Sequence, residues 1–411
     1  MLHSKRGVSP LCFIPLAVTA LACSGFSQDR VVAVGDAHGA YLAFTGILQR
    51  TGLIDSRGDW AGGSSVLVQT GDVLDRGANS LACVDLLMKL ERQAEAENGR
   101  VIALLGNHEV LIILRDLRYV SPGDYQAFAG PESEKLRKGA YEEYRKYLSA
   151  RRDRGIETPA DNEGTWQKWW AAHPAGFFER HDAFGPEGQQ GRWIRNHNAV
   201  VRVGEVLFAH GGLNPALPFK TPRELNESIR VELAEFDALW QALVQKGILW
   251  RYMTLDEALQ QAQEEWKKIL ARGQVEDPET AAQIKKFLGL QTWLILSPDG
   301  PLWYRGLALE PEERLNAGLQ SLLARLGARA LVVGHTVRPK YDIATRFGDR
   351  VFLIDTGMLT EEYGGQASAL EIRNGRFTAY YQNQEPKVLL DSGPTLPPPG
   401  GGGKRPAKPD P

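Results

Sequence analysis

Residues 31–39 read VVAVGDAHG: four apolar residues, three of them β-branched, then Gly35-Asp36-Ala37-His38-Gly39. This is the pattern of a short buried strand that stops at a glycine and delivers an aspartate and a histidine. Two further stretches repeat the plan. Val66-Leu67-Val68 leads into Gly71-Asp72-Val73-Leu74-Asp75-Arg76-Gly77, and Val101 to Leu105 leads into Gly106-Asn107-His108-Glu109. Helical periodicity fills the intervals, over 41–50 and again up to about residue 96. Strands separated by helical crossovers pair in parallel within a helix-covered sheet, which sets the fold class as α/β. Ligands of such sheets gather beyond the carboxyl ends of the strands, and the polar clusters fall at those ends.

Downstream, residues 115–195 change character. They are polar and helix-favouring, with both charges interspersed in 134–154 (EKLRKGAYEEYRKYLSARRDR) and aromatic residues at Trp166, Trp169 and Trp170. We expect a mostly helical insertion that caps or rims the site, its charges forming a solvated face. Strand-like runs at 199–203 and 206–209 then reach His210-Gly211-Gly212-Leu213. Helices are expected over 222–245 and 255–290, buried strands at 331–333 and 351–354, and a hairpin over 368–380 around Asn374-Gly375. Gly334-His335-Thr336 follows the first of these strands. The catalytic domain is expected to cover 28–385, and the Pro/Gly-rich stretch 386–411 is expected to be a disordered tail.

The composition is that of an ordinary soluble protein: 43% hydrophobic, 24% charged, with a formal charge of −2 across 411 residues. This balance excludes a broad electrostatic attraction to nucleic acid or anionic lipid. At the start, Lys5 and Arg6 precede the apolar run 11–22, which closes on Ala20-Leu21-Ala22. Too short to span a bilayer and interrupted by Pro15, the run reads as a signal peptide over 1–22, giving a periplasmic or secreted protein with no membrane span. Cys23 follows directly and offers a minor option of a lipid anchor. Cys83, within an apolar helical stretch, reads as a small buried hydrophobe.

The chemistry lies in the five Gly-containing segments. Singly, each has a structural explanation: Gly-Asp after a strand makes a turn, and Asn-His caps a helix. Together they collect carboxylates, imidazoles and an amide oxygen at strand ends that one fold would bring together. That donor set suits divalent metals such as Mn, Fe or Zn, and a carboxylate between two ligand groups can bridge two ions. Arg76 adds a forked donor matched to phosphate oxygens.

The order GDxHG, GDxxDRG, GNHE, HGG and GH resembles the phosphoprotein phosphatases of the calcineurin-like metallophosphoesterase superfamily, whose fold is a central β-sandwich flanked by helices. Pro301-Leu302-Trp303-Tyr304-Arg305-Gly306 and Asp355-Thr356-Gly357-Met358 make the chain most similar to the Shewanella-like branch. The resemblance spans about residues 30–380. It implies two divalent metal ions, manganese first among them. Asp36 and His38 would hold the first ion, Asp72 would bridge, and Asn107, His210 and His335 would complete the second. It further implies in-line attack by a metal-bridging hydroxide, with His108 protonating the leaving oxygen and Asp75 orienting it. Arg76, Asn107 and Arg305 would bind the phosphate. Val337 stands where diester-cleaving relatives carry a further histidine, so the resemblance favours phosphomonoesters. The expected substrate is a phosphorylated protein or peptide, on tyrosine or on serine and threonine, or else a small phosphomonoester. The alternatives are a dinucleoside polyphosphate hydrolase, an unselective scavenging phosphatase, or a metal-binding protein without turnover.

Overall fold

A computed structural model of the protein describes residues 30–272 and 277–392. The expected signal peptide, Cys23 and most of the expected tail lie outside the described residues.

Strands β1 (Arg30–Val34), β2 (Val66–Gln69) and β3 (Arg100–Ala103) run parallel, in register Val31 to Val66 and Val66 to Arg100. β4 (Val200–Val203) pairs antiparallel with β5 (Val206–Ala209), and β5 runs parallel to β6 (Ala330–Val333). β7 (Ala344–Arg346) forms an edge on β8 (Val351–Leu353), which is parallel to β6. The chain then returns to the first sheet through β9 (Ser368–Arg373), β10 (Arg376–Tyr381) and β11 (Gln384–Asp391). The result is two mixed sheets, ordered β11-β10-β9-β1-β2-β3 and β4-β5-β6-β8-β7.

The period-2 alternation of the strands decides what each face covers. Val31, Ala33, Val66 and Val68 of one sheet pack with Phe208, Val332 and Phe352 of the other, forming the interior of a β-sandwich. Phe352 and Phe377 stack across it with ring centroids 4.4 Å apart. The alternate set, Val32, Val34, Leu67, Leu207, Leu331 and Val333, faces the helices. The central strands β1, β2, β5, β6 and β8 are therefore apolar on both faces, which is why these runs read as near-continuous hydrophobic segments.

The hairpin turns at Asn374 and Gly375, whose φ values of 50° and 80° match the tight turn that an Asn-Gly pair favours. One boundary differs from expectation. β11 continues to Asp391 and pairs with β10, so the ordered domain passes residue 385. The exposed, charged stretch Gln384–Lys387 hid this edge strand, because charges on an edge blunt its hydrophobic signal.

Residues 115–195 fold as helices Pro122–Phe128, Ser133–Asp153, Glu163–Ala172, Phe177–Phe184 and Gln189–Arg195. They surround an aromatic cluster that Trp250 and Tyr252 join from outside the insertion, in which His173 stacks on Trp169 at 4.3 Å and donates from Nδ1 to the Trp169 carbonyl. Burial holds the His173 imidazole below its ordinary pKa. An unfolded chain takes up a proton near pH 6.5 that the folded one resists, so stability is full above that pH and falls as the pH drops below it. We expect the melting temperature to decline between pH 6.5 and 5, and His173→Phe to decline less steeply. Identical slopes in calorimetry would assign the acid sensitivity elsewhere.

Candidate metal centre and active site

The parallel strands of both sheets point their carboxyl ends to one place. Asp36 and His38 follow β1, Asp72 follows β2, Asn107 and His108 follow β3, His210 follows β5 and His335 follows β6. The loops are tied together by their backbones: the amides of Ala37 and His38 both donate to the Asp72 carbonyl at 2.9 Å, and Gly334 donates to the His210 carbonyl at 2.9 Å. His38, Asp72, Asp75, Arg76 and His335 all have positive φ, between 44° and 69°. Side chains other than glycine hold that conformation at a cost of about 1–3 kcal/mol each, and such strain concentrates at functional sites. The glycines serve close approach: a Cβ on Gly106 would lie 2.1 Å from Asp72 Oδ1, and one on Gly334 would lie 2.3 Å from Asp36 Oδ1.

Asp72 is the centre of this arrangement. Its Oδ2 lies 3.3 Å from His210 Nε2, 3.6 Å from His38 Nε2 and 3.9 Å from His108 Nε2, while its Oδ1 accepts from the His108 amide at 2.9 Å. Two groups able to hold a metal result, His38-Asp72-His108 and Asp72-His210-His335, and Asp72 is common to both. Asn107 Oδ1 sits 2.8 Å from His210 Nε2, beside the second group. Asp36 belongs to neither group; its two oxygens accept from the His335 amide at 3.0 and 3.1 Å.

The donor atoms fit metal ions. His210 Nδ1 lies 3.0 Å from the Thr70 carbonyl and His38 Nδ1 lies 2.9 Å from the Leu74 carbonyl. A carbonyl only accepts, so both Nδ1 atoms carry protons, and in the neutral ring each Nε2 presents a lone pair on the Asp72 side. Around His210 Nε2 the acceptors therefore outnumber the N–H groups available, and His335 Nε2 is buried with no hydrogen-bond partner among the described residues. Burial drives His38 down to about 3 and His335 lower still, which keeps them in the neutral form that binds metals. Asp36 and Asp355 are pushed up, to about 6 for Asp355, by burial and by the crowding of like charges around Asp72. For His210 burial opposes the charged form, but the Asp72 carboxylate outweighs it and holds the pKa above the ordinary value. The site draws in positive charge, which a metal ion supplies better than a proton.

Glu109 braces the centre. Its carboxylate accepts from the amides of Asp72 and Gly106 at 2.8 Å and of Val73 at 2.9 Å, joining the β2 and β3 loops. In Glu109→Gln an NH2 group faces those donors, and we expect metal affinity to fall by about 10–100-fold. Calorimetric titration of the metal-free protein checks this, and unchanged affinity would reduce Glu109 to a helix cap.

Beside the metal groups, His108 Nδ1 donates to Asp75 Oδ2 at 2.7 Å. Burial works against a charged His108, but the carboxylates of Asp72 and Asp75 prevail and its pKa is raised. Arg76 stands at the rim, its guanidinium 4.8 Å from the Tyr119 ring and 5.5 Å from the Tyr363 ring, paired to Glu362 at 2.8 Å. Arg305 is exposed and donates to the His335 carbonyl at 2.9 Å and to Thr336 Oγ1 at 3.1 Å. Both arginines thus flank the metal groups. Tyr119, Tyr363 and Glu362, which sequence reasoning did not single out, complete the rim. No local pattern marks them, because each reaches the site from a segment distant in sequence.

The calcineurin-like phosphoesterase family matches residues 29–339. Over 341 residues the chain is 24% identical to Shewanella-like protein phosphatase 1 of Plasmodium berghei (strain Anka), covering 82% of this chain and 69% of that protein. It is 35% identical over 198 residues to Shewanella-like protein phosphatase 2 of Arabidopsis thaliana, covering 45% of this chain and 46% of that one. Among solved structures, the cold-active protein-tyrosine phosphatase of a psychrophile Shewanella sp. superposes with a TM-score of 0.51 at 22% identity, over 88% of this chain and 80% of that chain. The strand-end metal groups and the family match agree, and the chain belongs to the calcineurin-like phosphoesterases, a family of metal-dependent hydrolases of phosphate esters.

Proposed function

We propose that the protein is a metal-dependent protein phosphatase, active on phosphotyrosine or on phosphoserine and phosphothreonine, and that it works in the periplasm or outside the cell. The observation that carries the reading is the buried His108–Asp75 pair beside two metal-holding groups that share Asp72. A protein that only stored metal has no use for an imidazole whose far nitrogen is tied to a buried carboxylate at that place.

Asp36, His38 and Asp72 are assigned to one ion, and Asp72, Asn107, His210 and His335 to the other, with manganese, iron or zinc all suited to the donors. Bound ions supply Lewis acidity to the phosphoryl oxygens and acidify water for in-line attack. The remaining work falls to the chain. Arg76 and Arg305 orient the phosphate and offset its charge, with Asn107 donating from its amide NH2. His108 gives its proton to the leaving oxygen, and Asp75 holds the ring with the Nδ1–H turned away, leaving Nε2 as the acid. Arg76 meets substrate only after leaving Glu362, an exposed pair of small energetic weight. Tyr119 and Tyr363 offer ring faces at the rim to an aryl phosphate, which supports tyrosine among the substrates. The apolar run ending at Ala22 supports export.

The test is phosphate release by the mature protein with added manganese, comparing phosphotyrosine, phosphoserine and phosphothreonine peptides with p-nitrophenyl phosphate and a dinucleoside polyphosphate. Metal-dependent release from peptides is expected. Release only from the small ester would make the enzyme a scavenging phosphatase, and cleavage only of the dinucleotide would make it a nucleotide hydrolase.

A further inference from the structure

We infer that Arg180, supplied by the helical insertion, is a positioning residue for the His108–Asp75 pair. The inference rests on the acid role proposed for His108.

Arg180 lies on the helix Phe177–Phe184, over one hundred residues from Asp75 in sequence, and its side chain is 2% exposed. The guanidinium sits 4.9 Å from the Phe184 ring, and its Nη2 lies 3.8 Å from Asp75 Oδ1 and 3.4 Å from Asp124 Oδ2. Asp75 is fully buried. One of its oxygens takes the His108 Nδ1–H, and the other has no hydrogen-bond partner among the described residues and faces Arg180. The Arg180 Nε and Asp124 Oδ1 are likewise buried without partners, so the three charges form an incompletely bonded chain, Asp124–Arg180–Asp75.

A buried carboxylate oxygen without a hydrogen-bond partner is costly unless a cation stands near it. Without one, the Asp75 carboxylate would turn toward other donors, and the His108 ring would lose the acceptor that orients it. Arg180 is the buried guanidinium placed to prevent this, since an arginine keeps its charge where a lysine would yield it. A long cationic side chain is costly to bury and is kept only where its partners require it. Asp124 alone provides a merely structural reason. The free Asp75 oxygen turned toward Nη2 is the added observation that points to the reaction. By this reading the insertion completes the active site from behind the metal loops, beyond any part it plays in substrate access.

The test separates leaving groups. A good leaving group such as p-nitrophenolate departs with little help, whereas an alkyl alkoxide needs the acid. In Arg180→Met we expect kcat for a phosphoserine peptide to fall by roughly 10–100-fold and kcat for p-nitrophenyl phosphate by no more than about threefold, with KM values nearly constant. In an Asp75→Asn background the same change should cost nothing further, because its route of action is already gone. The double variant Arg180→Met/Asp124→Asn, which strands no second carboxylate, gives the same readout where the single variant does not fold. Equal losses on both esters, or a folded variant with wild-type kcat on both, would overturn the inference and leave Arg180 a structural cation. His108→Asn run in parallel isolates the underlying reading: if that variant shows no dependence on leaving group, the acid assignment itself fails.

Discussion

Asp72→Asn is expected to lower turnover by about a thousandfold or more while the protein remains folded. The amide has the volume of the carboxylate, and its oxygen can still accept from the His108 amide, a contact that Asp72 Oδ1 makes at 2.9 Å. What changes is the other atom. Oδ2 faces the Nε2 atoms of His210 and His38 at 3.3 and 3.6 Å, and an NH2 group there is a donor that cannot serve as a metal ligand. Because Asp72 belongs to both metal groups, the loss reaches both at once. Elemental analysis should show fewer than two ions per chain, with a melting temperature in metal-free buffer close to that of the wild type. Two bound ions together with full activity would show that the shared carboxylate is not the bridge.

The reach of Asp72 also explains why so much of the centre was legible in the sequence. Each ligand lies within a few residues of a strand end, and the strand is itself marked by an apolar run, as in VVAV before Gly35-Asp36 or VLFA before His210. Local spacing is conserved by the geometry of a tight loop, so the strand signal and the ligand signal reinforce each other. The hairpin at Asn374-Gly375 was readable for the same reason. Elements without such local coupling were not. β7 is three residues long, with every side chain only half-buried, and β11 carries charges along an exposed edge. Arg180 lies in FFERHDAF, where a charged residue among aromatics on a short helix looks like one more solvated side chain. Only the fold shows that this side chain turns inward and ends near Asp75. Asp36 is read from the same motif as His38, and its oxygens accept from the His335 amide, which ties the loop after β1 to the loop after β6.

The second large effect is expected at the acid. His108→Asn removes the proton donor, and kcat should fall by roughly 100–10,000-fold, more for an alkyl than for an aryl phosphate. Asp75→Asn leaves the ring in place but removes one of the two carboxylates that raise the His108 pKa against the effect of burial. The sign follows directly. The acid must be protonated to act, so activity is lost as the pH rises through its pKa, and a lower pKa moves that loss to lower pH. The alkaline limb of the kcat profile in Asp75→Asn should therefore move toward acid, with the metal content unchanged because Asp75 lies outside both metal groups. The Asp72 carboxylate lies 3.9 Å from His108 Nε2 and acts on the same imidazole, so the limb is displaced and not abolished. A metal ion held by Asp72 would neutralise much of that contribution and leave Asp75 as the dominant carboxylate in the loaded enzyme. A limb that stays in place in Asp75→Asn, in protein shown to hold its metals, would mean that the titrating group is water at the metal centre and not His108.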